Sequence, residues 1–150
     1  MSMSCIVFSN RHLASIREWQ ISLNEIGFPI TLKDDGDRPI VALRGHLPAA
    51  WNDLEAGFEC YPGHVEETVE AVETYAEFDF GGPWTCMIDI YYAGYAGWAG
   101  AAMAAAAYAR ATGGVVFGAE GGDVLNVEAA ISDARKTERR VLDILAAEEP

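Results

Sequence analysis

Two adjoining stretches, TCMIDIY at Thr85–Tyr91 and GYAGWAGAAMAAAAYARAT at Gly94–Thr112, decide the fold of this chain. The first alternates: Cys86, Ile88 and Ile90 share one parity, Met87 and Asp89 the other, as in a strand with two different faces. The second has no polar stripe. A helix that is apolar on every side must be surrounded by protein, so it predicts a central helix packed against the sheet. Its Ala and Gly side chains let neighbouring elements approach closely. Gly113-Gly114 stops it. From Ile90 to Ala109 there is no charge, but a run made largely of Ala and Gly is too weakly hydrophobic for a membrane span.

Working outward, Cys5–Phe8 reads as a strand. Asn10 then reads as the N-cap of a helix carrying Leu13, Ile16, Trp19, Leu23 and Ile26, ended by Gly27. Pro29–Lys33 and Ile40–Arg44 read as strands around Asp34-Asp35-Gly36-Asp37. Leu47–Trp51 reads as irregular and Ala56–Tyr61 as a strand. His64–Phe78 has the apolar stripe Val65, Val69, Val72 and Ala76 and predicts an acidic helix. Beyond the central helix come a strand at Val115–Phe117, a turn at Glu120-Gly121-Gly122 and a short strand at Val124-Leu125. A last helix is capped by Asn126, with Ile131, Ala134, Val141 and Leu145 inward and the Arg135–Arg140 cluster outward. Hairpin-like steps exclude a pure βαβ sheet. The expectation is one α+β domain over residues 1–150, with helices on a mostly antiparallel sheet.

Charge is distributed unevenly. The chain of 150 residues has a net charge of −13, and a pI near 4.4 argues against nucleic acid or an anionic membrane as ligand. Residues 45–109 contain no Lys or Arg and ten acids: Asp53, Glu55, Glu59, Glu66, Glu67, Glu70, Glu73, Glu77, Asp79 and Asp89. Glu66/Glu70 and Glu73/Glu77 are like-charge i,i+4 pairs, which weaken a helix. Self-repulsion opposes compaction, so a block this one-sided suggests a surface kept for a positive partner. The first-turn acids Glu66 and Glu67 are also explained by the helix dipole alone.

Catalytic and metal patterns are weak. His12, His46 and His64 lack metal-site spacing, as do the His64/Glu67 and Glu70/Glu73 pairs taken alone. No Gly-x-Ser-x-Gly elbow or phosphate-binding glycine loop occurs; the spacing Gly94, Gly97, Gly100 reads as close backbone packing. Cys5, Cys60 and Cys86 have no CxxC spacing and read as buried thiols of a reduced, cytosolic protein. The N-terminus shows no secretory signal pattern. Neither a cofactor nor a metal is expected. Asp89, inside an otherwise apolar strand, needs a partner or an exposed face.

The Gly27-Phe28 helix exit, the Gly57-Phe58-Glu59 strand and the Ala-rich helix running into Thr112-Gly113-Gly114-Val115, in a small acidic chain, resemble the immunity proteins of bacterial polymorphic toxin systems. The group paired with restriction-endonuclease-like toxins is nearest. The resemblance implies a non-catalytic cytoplasmic protein that blocks a cognate toxin delivered by a secretion system such as type VI. A nuclease cleft is basic because it holds phosphates, and an acidic inhibitor complements it. The residues expected at such an interface are Glu55, Glu59, Glu66, Glu67, Glu70, Glu73, Glu77 and Asp79, with Trp51, Tyr61 and Tyr75 as aromatic anchors. Two rival readings stay open. One is a small enzyme using Asp89, His46 and Glu59. The other is a subunit whose acidic face meets the Arg135–Arg140 cluster of another copy, for example in a homodimer.

Overall fold

The computed structural model describes residues 3–67, 83–118 and 122–148. Within them lie nine strands, β1 (Met3–Ser9), β2 (Ile30–Leu32), β3 (Gly45–Leu47), β4 (Ala49–Trp51), β5 (Leu54–Glu55), β6 (Phe58–His64), β7 (Cys86–Tyr92), β8 (Val115–Gly118) and β9 (Asp123–Leu125). Three α-helices join them: α1 (Ile16–Ile26), α2 (Gly94–Thr112) and α3 (Val127–Glu148). Six strands form one sheet in the order β3-β6-β7-β1-β8-β9, and β2-β4-β5 form a second. Every pairing is antiparallel. The fold is α+β.

The Ala-rich helix is central. From Ala99 to Ala109 nearly every side chain of α2 is buried. α1 crosses it closely enough to hydrogen-bond its backbone: Trp19 Nε1 donates to the Ala104 carbonyl at 2.9 Å and Ser22 Oγ to the Ala107 carbonyl at 2.7 Å. Only small side chains on α2 leave those carbonyls reachable. The Trp19 indole meets Phe58 and Tyr108 edge-on, with centroids 5.7 and 5.2 Å apart, a favoured aromatic geometry. On the sheet, Cys5, Val7, Phe58, Cys60, Ile88, Ile90 and Val116 join this core. The opposite parity supplies a second cluster of Phe8, Met87 and Phe117 with Val65. Both faces of the sheet are therefore partly apolar.

Several expectations are corrected. α1 begins at Ile16, capped by Ser15, whose Oγ accepts the Glu18 N–H; Glu18 reaches back to the Ala14 N–H at 2.6 Å. This Ser-x-x-Glu spacing is a capping-box signal. Asn10 instead accepts the Thr85 N–H, tying the exit of β1 to the entry of β7. Ile40–Ala42 is a 3-10 turn rather than a strand; Ile40 is wholly buried, and the Leu43 N–H closes the turn on its carbonyl. Leu47–Trp51 is not irregular: β3 and β4 flank Pro48, where the chain passes from the large sheet to the small one. A residue without an N–H suits that break in pairing. β6 runs on through His64, so the segment read as helical from that residue opens as strand and then a 3-10 turn at Val65–Glu67. Residues 68–78 of the expected acidic helix lie outside the described residues. The caps at Gly27 and Gly113 have the expected left-handed φ of 92° and 74°, and Asn126 caps α3 through the Ala129 N–H at 2.8 Å. Among the described residues, no helix is long and apolar enough to cross a membrane.

Candidate functional site

A two-residue hairpin loop starts the site. Asn52 and Asp53 both have positive φ, 51° and 60°, the conformation of a tight β4–β5 turn that Asn and Asp tolerate. The turn delivers Glu55, whose Oε1 accepts the Gly57 N–H at 2.9 Å and lies 3.2 Å from His46 Nε2. Gly57 is required by crowding. A Cβ there would sit 2.3 Å from Glu55 Oε1 and 2.5 Å from the Leu47 carbonyl oxygen.

Strand parity then assembles the rest. In β6, Phe58 and Cys60 point into the core while Glu59 and Tyr61 are exposed. The register places His46 of β3 and Tyr91 of β7 on either side of Glu59, and Asp89 opposite Tyr61. Tyr61 donates its hydroxyl to Glu59 Oε1 at 3.0 Å, and its ring meets Tyr91 edge-on at 5.8 Å. That hydrogen bond to Glu59 is the main cause holding the Tyr61 phenol above its ordinary pKa. Together His46, Glu55, Glu59, Tyr91 and Tyr92 line a cleft of about 320 Å³, with Ala93 and Gly97 at the α2 entrance also in its lining. Among the described residues, no lysine or arginine lines it. The Ala93 cap offers no side-chain hydrogen bond, so the first N–H groups of α2 put positive partial charge at that end of the cleft and disfavour a cation there. The carboxylate end suits a guanidinium or ammonium group: Glu55 and Glu59 accept from it, and the Tyr91 ring attracts it.

The expected interface residues separate into four groups. Glu55, Glu59 and Tyr61 come together here. Glu66 is exposed on the 3-10 turn that follows β6. Glu70, Glu73, Tyr75, Glu77 and Asp79, and the side chain of Glu67, lie outside the described residues. Trp51 is corrected: it is only 2% exposed because β4 is the middle strand of the small sheet. Its indole N–H donates to Glu138 Oε2 of α3 at 2.8 Å. It is a core residue and cannot anchor a partner. His46 was not among the residues expected at the interface. Its signal was strand parity, legible only once the register with Glu59 is known.

Catalytic alternatives find mixed geometry. His46, Glu59 and Asp89 share one face of the sheet, with Asp89 half-buried. All three cysteines are buried, and none is in a disulfide. Cys60 pairs in register with Gly45 and points away from His46, and burial pushes its thiol far above the ordinary range. A Cys60–His46 nucleophile is therefore not formed. His12 is instead structural. Its Nε2 lies 3.0 Å from the Gly63 carbonyl and its Nδ1 2.9 Å from the Tyr108 hydroxyl, which also accepts the Leu13 N–H. The carbonyl can only accept, so Nε2 carries the proton and Tyr108 donates to Nδ1. Among the described residues, no three His, Cys, Asp or Glu side chains are grouped to hold a metal ion.

Of the Arg135–Arg140 cluster, Arg135 is engaged within the chain. Its guanidinium donates to the Ile26 carbonyl and covers the Phe28 ring at 5.3 Å.

Comparison with protein-family models, with curated proteins and with solved structures gives no match.

Proposed function

We propose that this protein is an immunity protein: it binds a basic, nuclease-type toxin in the cytoplasm and neutralises it by protein–protein contact, without turnover or cofactor. One observation carries the reading. The Glu55–Glu59 cleft, lined by Tyr91 and Tyr92 with Tyr61 packed against Tyr91, lies in a 65-residue stretch that contains no lysine or arginine. Such a surface attracts a basic partner over several ångströms and seats its arginine or lysine side chains. The resemblance of the small acidic chain to toxin-immunity proteins supports the same direction. Buried thiols and an internally bonded His12 leave little nucleophilic chemistry on offer.

The test pairs the protein with the toxin domain encoded beside it and measures association by stopped flow across a salt series. Glu55→Lys with Glu59→Lys slows association and flattens its salt dependence. Each single reversal costs about tenfold or less, because exposed charges act mainly on the on-rate. Cells co-producing the toxin lose protection with the double variant. Association at the wild-type rate in low salt, by a folded double variant, refutes the assignment of this cleft.

A further inference from the structure

A second cavity, on the helix side of the sheet, shares only Tyr92 with the acidic cleft. It lies where α2, α3 and the β8–β9 edge meet and has a volume of about 140 Å³. Its walls include Tyr92, Trp98, Ala102 and Gly118, with Asp123 and Asp133 at its rim. Sequence explains why the space exists. α2 offers only a methyl group at Ala102, and Gly118 offers none: a Cβ built there would meet nothing within 4 Å. The volume is close to that of an engineered apolar cavity, about 150 Å³, that holds benzene. One aromatic ring, or a branched alkyl group of similar size, fits.

The polar groups select the charge of the occupant. The carboxylates of Asp123 and Asp133 form no ion pair or hydrogen bond among the described residues. Burial raises the pKa of the Asp133 carboxyl, Lys136 opposes this and Asp123 reinforces it. A cation at the rim would relieve the repulsion between the two acids. The aromatic walls act in the same sense, since the faces of Trp and Tyr attract cations. An anion would meet two carboxylates.

We infer that the cavity bounded by Tyr92, Trp98, Ala102 and Gly118, with Asp123 and Asp133 at its mouth, is a binding site for a small organic cation, an ammonium group carrying one ring or a short branched alkyl chain. The apolar part enters between α2 and the sheet, and the ammonium stays at the rim against Asp133. No bond is made or broken.

The full chain is titrated with phenethylammonium, and with phenylacetate as the anion of similar shape, by calorimetry and by NMR of the indole N–H groups. Saturable millimolar or tighter binding of phenethylammonium is expected, with the Trp98 signal moving and phenylacetate without effect. Asp133→Asn, on the exposed side of α3, weakens binding roughly three- to tenfold. Ala102→Leu fills the space and abolishes the Trp98 response. Glu59→Lys weakens any ammonium binding in the other cleft but leaves the Trp98 response unchanged, and so separates the two sites. An equal Trp98 response to the cation and the anion overturns the inference. So does a Trp98 response that survives in a folded Ala102→Leu protein, or no saturable Trp98 response in the wild type.

Discussion

Gly97 and Gly100 stand one turn apart on α2, and the same substitution at each is expected to move stability in opposite directions. Gly→Ala in a helix interior favours the helix by about 0.8–1 kcal/mol. At Gly97 a new Cβ would lie 3.6 Å from the Gly57 carbonyl oxygen and 3.8 Å from Tyr92 Cβ, ordinary contact distances. Gly97→Ala should therefore stabilise by about 0.5–1 kcal/mol. At Gly100 the Cβ would lie 2.1 Å from the Ala56 carbonyl oxygen and 3.1 Å from Ala56 Cβ. The obstacle is backbone, so relief requires the Ala56–Gly57 segment to shift by about 1 Å against a close-packed core. Ala56 is itself buried and its N–H is bonded to the Ala49 carbonyl at 2.8 Å, which resists that shift. Overpacking of this kind costs about 1–3 kcal/mol and occasionally more. A 2.1 Å clash with backbone belongs at the upper end of that range, so after the helix gain Gly100→Ala should destabilise by about 2 kcal/mol, lowering Tm by roughly 4–8 °C for a chain of this size. Urea unfolding followed by far-UV circular dichroism measures both variants under one protocol, with m-values checked for constancy. A Gly100→Ala protein as stable as wild type would refute the close approach of α2 to Ala56. Equal shifts in the two variants would refute the argument that position, not propensity, decides the sign.

Other outcomes follow from the same packing. Ala105→Glu places a carboxylate at a site 1% exposed; a buried charge without a partner costs several kcal/mol, so the variant should be unfolded or insoluble by circular dichroism and gel filtration. Trp51→Phe removes the indole N–H bonded to Glu138 and should destabilise by about 1–2 kcal/mol, with toxin association unaltered in stopped flow. Burial lowers the pKa of His12 in the folded protein, so the unfolded chain takes up its proton first as pH falls. The contribution of neutral His12 is complete above the ordinary histidine value of about 6.5 and is lost progressively below it. The pH slope of stability between pH 6.5 and 5 should be shallower in His12→Gln than in wild type, and an unchanged slope would remove His12 as its source.

Local signals were legible where they are long and self-consistent. The alternation of Thr85–Tyr91 and the all-apolar run of α2 determined a strand, a central helix and the α+β class, because periodicity over seven or more residues has few structural solutions. Gly27, Gly113 and Asn126 marked helix ends through backbone conformations or caps that act within one turn. The acidic block from residue 45 to 109 is likewise a property of the sequence alone. The two- and three-residue strands β3, β4 and β5 were not legible, because so few residues carry no period. Their pairing is decided by partners distant in the chain. That pairing buried Trp51, which the sequence placed at a surface, and set His46 and Tyr91 beside Glu59. The cavity near Trp98 also belongs to tertiary structure. It is the space left between three elements that present Ala102, Gly118 and the rim acids to one another, and no local pattern encodes a volume that no side chain fills.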